Sequence, residues 1–396
     1  MRGGADALRE AVRSPRPQAD IVPQKRTFLK THSALRGVAA TLVIFYHLKF
    51  GTSYRLPLET ATSFFDRGYL WVDVFFVLSG FVISHAYLPA KGSMTLVATR
   101  AYLVSRIARI YPLHITILLI LLLFYVMVSI AQQRADPHLQ AAGLYNLFST
   151  LALTQTWLGS VGPNLDWNVP SWSISAEMQV YLLFPLIAWG IATAERLALL
   201  VLSIFAAGFY LWIGANGSLD IIDQAAVVRC CAGFCLGVLC FRVTPILSVV
   251  PAAVLSIIQT LAFAIIVITM AAGLPDILVP PAAFLLVWAT ATDQGILTRL
   301  LSHRAALWMG QLSYAIYLVH VPVIIVMAFF WSRGMKAMHV AEGPASRMLW
   351  ISTILLLVIV SASLLHHWVE VPSRSFFRNM SDVRSRKAKN KPTSTT

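Results

Sequence analysis

The sequence predicts an all-α integral membrane protein, a bundle of about ten transmembrane helices. Hydrophobic residues make up 58% of its 396 residues and charged residues only 12%, whereas soluble domains contain about 45–50% and about 25%. The apolar runs 113–131, 252–272 and 348–368 have the roughly 20 residues that a helix needs to cross a bilayer. Because backbone groups in hydrocarbon must be hydrogen-bonded within their own segment, these runs are expected to be helices.

Polar, basic segments precede and follow the apolar runs. Residues 1–30 and 375–396 are too polar to bury a core, so we expect two disordered basic tails around a transmembrane domain at 31–374. The first segment has no apolar run of its own, so we expect no cleavable signal peptide and a first span that acts as a signal anchor. The predicted spans are 34–50, 70–88, 111–131, 176–194, 197–213, 225–241, 251–272, 277–292, 312–331 and 348–368.

The distribution of Lys and Arg predicts the orientation of these spans. An even number of spans places both termini on one side. If that side is the cytoplasm, 23 Lys and Arg residues lie inside and 7 lie outside. Basic residues favour cytoplasmic loops, so both termini are expected to be cytoplasmic, in the inner membrane of a bacterium.

The net charge of +14 suggests nucleic-acid binding and the four cysteines suggest a metal site, and neither function is favoured. The basic residues lie in the tails and in one loop beside apolar spans, a pattern typical of membrane anchoring rather than nucleic-acid binding. The cysteines at 230, 231, 235 and 240 lie in one apolar run without CxxC spacing or a neighbouring histidine. No metal site is expected there, and small polarizable residues that pack a helix are the simpler interpretation.

The first predicted span contains two ionisable residues, Arg36 and His47, eleven positions apart. At 100° per residue this spacing equals three turns plus about 20°, so both side chains share one helix face, about 16 Å apart along the axis. Such residues in a span are functional candidates. Alternatively, Arg36 only anchors the inner edge and His47 only ends the helix. Anchoring is the simpler interpretation of Arg36, and for His47 the two remain open.

The second span and the loop after it contain further candidates. Asp73 lies near the outer end of the span, and the small pair Ser79-Gly80 allows close approach of another backbone or of a narrow ligand. Helix packing explains this span equally well. Arg106 and Arg109 are neighbours on a helical turn and can bind phosphate, although basic anchoring of the loop is an alternative.

Later segments contain acidic, aromatic and histidine candidates. Glu177 follows Trp172 and Ser173 at the outer start of the fourth span. It can orient or deprotonate a histidine, or it can be an ordinary helix-start acid. Tyr314 and Tyr317 share one face of the ninth span, where tyrosines usually belong to the interfacial belt.

The deeper His320 of that span is a stronger functional candidate than the two tyrosines. Glu370 lies just after the last predicted span, near the cytoplasm.

Together these segments resemble the acyltransferase-3 family of bacterial membrane acyltransferases, the group that contains O-antigen and exopolysaccharide acetylases. The resemblance extends from about residue 30 to residue 378, and the ordered set of segments is more specific than any one of them. The matching segments are Arg36-x10-His47, Phe75-Phe76-Val77-Leu78-Ser79-Gly80-Phe81, Arg106 with Arg109 and Pro112, Trp172-Ser173 through Glu177, Ser313-Tyr314 through His320, and Glu370-x-Pro372.

The resemblance implies an O-acyltransferase that moves an acyl group, with acetyl expected, from cytoplasmic acyl-CoA to a saccharide hydroxyl. The three arginines of its basic segments, Arg36, Arg106 and Arg109, would bind the phosphates of the donor. The pantetheine would pass Ser79 and Gly80. His47 would act as general base or transient acyl carrier, in one cavity with Arg36, and Glu177 would orient His47 or the acceptor. Acyl-CoA is a substrate here, and no permanently bound cofactor is implied.

Two alternatives to this function remain open, and the sequence departs from the family pattern at one position. A span-rich chain with intramembrane ionisable residues also suits a transporter or flippase, although no internal repeat is visible. A small glycosylated metabolite is an alternative acceptor. The family often has Asp at the position of Ser33, so any role of that carboxylate requires a replacement.

Overall fold

The computed structural model describes residues 28–48, 62–88, 92–159, 166–223, 225–337 and 343–379. Within these ranges the chain is helical, without β-strands, as the composition predicts. Residues 1–27 and 380–396 lie outside the described residues, and so does most of the predicted disorder of the two tails. The prediction differs from the structure at 375–379, which continue the last helix.

Twelve α-helices are numbered here in chain order within the described ranges. A π-helical turn, His366–Glu370, continues the last of them toward residue 379. The helices are α1 (Lys30–His47), α2 (Trp71–Tyr87), α3 (Leu96–Gln132), α4 (Ala141–Leu151), α5 (Gln155–Leu158), α6 (Ser171–Asn216), α7 (Ala226–Val243), α8 (Ala252–Ala272), α9 (Val279–Ala289), α10 (Ile296–Leu301), α11 (Arg304–Ala337) and α12 (Pro344–Leu365).

Seven helices of the described chain, those that contain α2, α3, α6, α7, α8, α11 and α12, are long and apolar enough to cross a membrane. The chain is therefore a multi-pass membrane protein, but the predicted count of ten spans is not confirmed. Helix α1 has 18 residues, four of them Lys, Arg or His, and α9 has only 11 residues. The predicted spans 176–194 and 197–213 both lie in α6.

Helix α6 is interrupted in its middle. Ala194 has φ −146° and ψ 65°, which are not helical values. A Cβ atom on Gly190 would lie 3.7 Å from the Cβ of Ala198, whereas eight residues of straight helix span about 12 Å. The chain therefore turns back at Ala194, and the two predicted spans correspond to the two halves of α6.

Close backbone contact between α1 and α11 brings the segments of the candidate site together. These two helices pack extensively along their lengths. A Cβ atom on Gly37 would lie 2.7 Å from the backbone nitrogen of Gly310, and one on Gly310 would overlap the backbone oxygen of Ser33. Small residues permit such approach in membrane helices. The crossing places the face of α1 that carries Arg36 and His47 against α11.

A second close crossing joins α2 and α7, and it corrects the prediction for Gly80. A Cβ atom on Gly80 would overlap the carbonyl oxygen of Phe234, and one on Gly237 would lie 2.6 Å from the backbone nitrogen of Phe81. Gly80 is therefore a packing residue with no room beside it for a pantetheine chain. Its neighbour Ser79 points to the other side of α2, toward a cavity.

Asp293 supplies a carboxylate at the N-terminus of α1, close to Ser33. Its two oxygens accept hydrogen bonds from the backbone nitrogens of Lys30 (3.1 Å) and Thr31 (2.9 Å) and from the Thr31 hydroxyl (2.6 Å). A negative charge there satisfies free N–H groups and favours the helix dipole. A carboxylate from another part of the chain thus stabilises the helix start where Ser33 departs from the family pattern.

Asp73 belongs to a buried ion pair. Its carboxylate accepts bonds from Arg229 Nη2 at 2.7 Å and Nε at 3.1 Å, and both side chains have no exposed surface. Arg229 also donates to the backbone oxygens of Tyr69 (3.0 Å) and Ile221 (3.2 Å). The charge of Arg229 is therefore compensated inside the protein, and Asp73 has a structural partner.

Candidate active site

Helices α1, α2, α3, α6 and α11 surround a cavity with about 690 Å³ of empty space, part of it open to solvent. Four charged side chains line it, namely Arg36, Arg106, Arg109 and Glu177, so three guanidinium groups share the cavity with one carboxylate. The predicted basic cluster and Ser79 therefore do lie together. Hydroxyl groups line the remaining polar wall, from Ser79, Ser173, Tyr181, Ser313, Tyr314 and Tyr317.

The three arginines are held to different degrees. Arg106 donates from Nη2 to the Tyr87 hydroxyl (3.1 Å) and from Nε to Ser105 Oγ (3.2 Å), and its guanidinium lies 5.2 Å from the centre of the Tyr87 ring. Among the described residues, neither Arg36 nor Arg109 is in an ion pair with a carboxylate. Each is half-buried at the cavity wall. Their positive charge is available to an anionic ligand.

Glu177 is the carboxylate of a three-residue network. It accepts a short hydrogen bond from the Ser79 hydroxyl and one of 2.6 Å from the Tyr181 hydroxyl, and the two hydroxyls are 2.7 Å apart. The orientation of His47 by Glu177 is therefore not seen among the described residues. Tyr181 was not among the predicted site residues, although it lies four residues after Glu177, the spacing at which side chains on a helix meet.

His47 instead contacts a second histidine. Its Nδ1 atom lies 3.0 Å from the backbone oxygen of Val43 and 3.2 Å from Nε2 of His320, and the two ring centres are 4.8 Å apart. His320 is fully buried, and its Nδ1 lies 3.2 Å from the backbone oxygen of Ile316. When Nδ1 of a histidine donates its proton to a carbonyl, the lone pair is on Nε2, as a general base requires.

The cavity does not reach His47, so the expectation of one cavity shared with Arg36 is wrong. The residues that line it include Arg36 but neither His47 nor His320. The wall between them contains Tyr317, whose ring centre lies 5.9 Å from that of His320 and 5.7 Å from that of Phe75. Arg36 and His47 can still share one face of α1, as predicted, because side chains of α11 and α2 fill the space between the cavity and His47.

The remaining predicted residues take different places. Tyr314 lines the cavity and donates its hydroxyl proton to the backbone oxygen of Ile110 (2.8 Å). Trp172 does not line it, and its ring packs near the Arg229 guanidinium at 5.3 Å.

Glu370 is also outside the cavity wall. It is buried, accepts a bond from Arg374, and lies 2.7 Å from His366 Nδ1. Trp172 and Glu370 therefore stabilise helices around the site. Arg374 was not among the predicted residues, although it follows Glu370 at helical spacing.

Comparison with known proteins identifies the class. The acyltransferase-3 model, described as an acyltransferase domain, matches residues 33–368. This range contains all of α2 to α12 and most of α1. The chain therefore belongs to the acyltransferase-3 family.

Three relatives share parts of the sequence. Acyltransferase MdmB of Streptomyces mycarofaciens is 38% identical over 120 residues, which are 30% of this chain and 28% of that protein. Protein 2 in the picA locus of Rhizobium radiobacter is 29% identical over 189 residues, 43% of this chain and 87% of that protein. YrhL of Bacillus subtilis (strain 168), whose name proposes a peptidoglycan O-acetyltransferase, is 28% identical over 171 residues, 41% of this chain and 24% of that protein.

The matched region is thus about a quarter of the length of two of these relatives. No solved structure matches the chain.

Proposed function

We propose that this protein transfers an acetyl group from cytoplasmic acetyl-CoA to a hydroxyl group of a surface or lipid-linked saccharide. The observation that carries the proposal is the cavity with three arginines and one carboxylate, which ends at Tyr317 beside the His47–His320 pair. The family membership supports acyl transfer. The donor and the acceptor are inferred from the charge and the shape of the site.

The arginines account for the choice of donor. CoA carries several phosphates, and guanidinium groups match phosphate geometry with paired N–H donors. Arg36, Arg106 and Arg109 would bind these phosphates at one end of the cavity. The narrow, uncharged pantetheine chain would extend along Ser79 toward Tyr317. The expected position of both termini in the cytoplasm places this arginine end on the side where acyl-CoA is made.

His47 is the proposed general base. It would accept the proton of the acceptor hydroxyl as that oxygen attacks the thioester carbonyl, and return the proton to the departing CoA thiolate. His320, in contact with Nδ1 of His47, would fix the orientation of the ring. A transient acyl group on His47 is the alternative sequence of steps. Glu177 would hold Ser79 and Tyr181 and offset part of the arginine charge.

A saccharide is the proposed acceptor because one relative is named for O-acetylation of peptidoglycan, itself a saccharide polymer. A small glycosylated metabolite would use the same residues. No described observation favours a transporter over an enzyme, and the family membership argues for the enzyme.

The test uses the purified protein in lipid nanodiscs with acetyl-labelled acetyl-CoA and a saccharide extract. The wild-type protein should transfer the label to the extract. His47→Ala should lower the rate by about 10²–10⁴-fold, the usual contribution of general acid–base catalysis, and still bind acetyl-CoA. His367→Ala is the matched control, since His367 is exposed on the π-helical turn that follows α12, and this variant should transfer normally. Undiminished transfer by the His47→Ala protein would contradict the proposal.

A further inference from the structure

Tyr317 occupies the boundary between the arginine-lined cavity and the histidine pair. It lines the cavity, and its ring packs against His320 at 5.9 Å and against Phe75 at 5.7 Å. A donor that fills the cavity from the arginine end therefore meets Tyr317 just before it reaches the histidines. The reacting carbonyl of that donor would lie next to this side chain.

The hydroxyl of Tyr317 is bonded to a partner that can reverse the bond. It lies 2.7 Å from Ser173 Oγ, and Ser173 Oγ lies 3.0 Å from the backbone oxygen of Pro170. In one arrangement Ser173 donates to Pro170 and accepts the proton of Tyr317. In the other, Ser173 donates to Tyr317, and the phenol proton is available to a third group. The exchange requires only rotation of two hydroxyl groups.

The other tyrosines of the cavity have no comparable freedom. Tyr314 donates to the backbone oxygen of Ile110 at 2.8 Å, and a carbonyl cannot donate in return. Tyr181 donates to the Glu177 carboxylate at 2.6 Å, and such a charge-assisted bond is strong. Tyr317 thus differs from both in the kind of partner that its proton has.

We infer that Tyr317 donates its hydroxyl proton in a hydrogen bond to the thioester oxygen during acyl transfer, which makes it a catalytic residue. The inference rests on the proposed function. The acceptor oxygen forms a bond to the carbonyl carbon, its proton passes to His47, and the carbonyl electron pair moves to the oxygen, where Tyr317 stabilises the negative charge. The C–O double bond then re-forms, the C–S bond breaks, and the CoA thiolate takes the proton from His47.

Donors aimed at a developing oxyanion act mainly on the chemical step. Tyr317→Phe removes only the hydroxyl and keeps the ring against His320 and Phe75. We expect it to lower kcat by about 10²–10³-fold, the usual effect of losing one oxyanion donor, with the KM for acetyl-CoA changed less than about threefold. Tyr314→Phe is the matched control in the same cavity wall and should change kcat less than about tenfold.

Ser173→Ala serves as a second, independent variant. It deletes the group that receives or returns the phenol proton, so kcat should fall while the affinity for acetyl-CoA and the melting temperature remain near wild type. The inference is overturned if Tyr317→Phe keeps the wild-type kcat or if Tyr314→Phe loses as much. It is also overturned if both Tyr317→Phe and Ser173→Ala act on donor affinity alone. If the wild-type protein itself transfers no label, the proposed function fails, a result distinct from these.

Discussion

Arginine side chains lie in two regions inside the helix bundle, and the groups around them differ. Arg229 has no exposed surface and donates to both oxygens of Asp73 and to two backbone carbonyls. Arg36, Arg106 and Arg109 border empty space and share it with one carboxylate, Glu177. The region around Arg229 is closed, and its positive charge is neutralised by Asp73. The cavity is open and has an excess of positive charge.

The difference shows how a buried charge relates to function. Ionisable residues in membrane helices are functional candidates by default, yet Arg229 is fully engaged by partners from its own chain. Its role is to hold α7 against the segment that begins α2. The cavity arginines have what Arg229 lacks, namely space for an anionic ligand. The number of carboxylate and carbonyl partners inside the protein, rather than burial itself, separates Arg229 from the arginines that are proposed to bind the donor.

The largest predicted effect is on stability at the compensated region. Arg229→Met leaves the Asp73 carboxylate buried without a partner, which typically costs about 3–5 kcal/mol. The melting temperature of the purified protein should fall steeply. The double variant Arg229→Met with Asp73→Asn should recover part of the loss, because no charge remains unpaired. If the Arg229→Met protein melts at the wild-type temperature, the structural role that distinguishes Arg229 from the cavity arginines is contradicted.

The next effect concerns donor binding at the open region. Arg36→Gln should weaken acetyl-CoA binding by about 10- to 150-fold, the equivalent of a charge-assisted hydrogen bond of about 1.5–3 kcal/mol. Its melting temperature should stay near wild type, since no ion pair is broken among the described residues. Isothermal titration calorimetry measures the affinity, with Arg333→Gln, an exposed arginine, as control. Equal affinities for both variants would contradict the role of the cavity.

Two adjacent residues of α2 provide a sharper contrast. Gly80→Ala places a methyl group against the backbone of Phe234, so the free energy of unfolding should fall by about 1–3 kcal/mol. Ser79→Ala removes one hydroxyl that donates to Glu177 and should leave the fold intact. Thermal melting and acetyl-CoA titration of both variants check this. Weak donor binding by a normally stable Gly80→Ala protein would restore Gly80 to the binding site.

The smallest effect is expected for Glu177→Gln. The amide keeps an oxygen that accepts from Ser79 and Tyr181, so kcat should fall by no more than about tenfold, whereas His47→Ala loses about 10²–10⁴-fold. Loss of the negative charge should also increase the affinity for acetyl-CoA severalfold, because it no longer repels the donor phosphates. Steady-state kinetics measures both changes. A loss of kcat as large as that of His47→Ala would make Glu177 a catalytic residue.

The sequence predicted which residues face the cavity better than it predicted their contacts. Local spacing along a helix brings Arg106 and Arg109 to one side, and the family pattern adds Arg36, Ser79 and Glu177. All five line the cavity. The placement of Arg106 beside Arg109 follows from helix periodicity, which a single segment contains.

Contacts between helices distant in sequence could not be predicted in the same way. His47 and His320 are 273 positions apart, and their contact depends on the glycine crossing of α1 and α11. The barrier at Tyr317 and the packing role of Gly80 arise from neighbouring helices too. The break at Ala194 is different, because the predicted spans 176–194 and 197–213 already placed a boundary where the structure has non-helical dihedral angles.

In the proposed function, the excess positive charge of the cavity binds the phosphates of an acyl-CoA. The most direct measurement compares the affinities of acetyl-CoA and S-acetylpantetheine, the same thioester without phosphates, for the protein in nanodiscs. We predict that acetyl-CoA binds about 100-fold more tightly or better, and that the Arg36→Gln, Arg109→Gln double variant abolishes most of that difference. Equal binding of the two thioesters to the wild-type protein would contradict the claim.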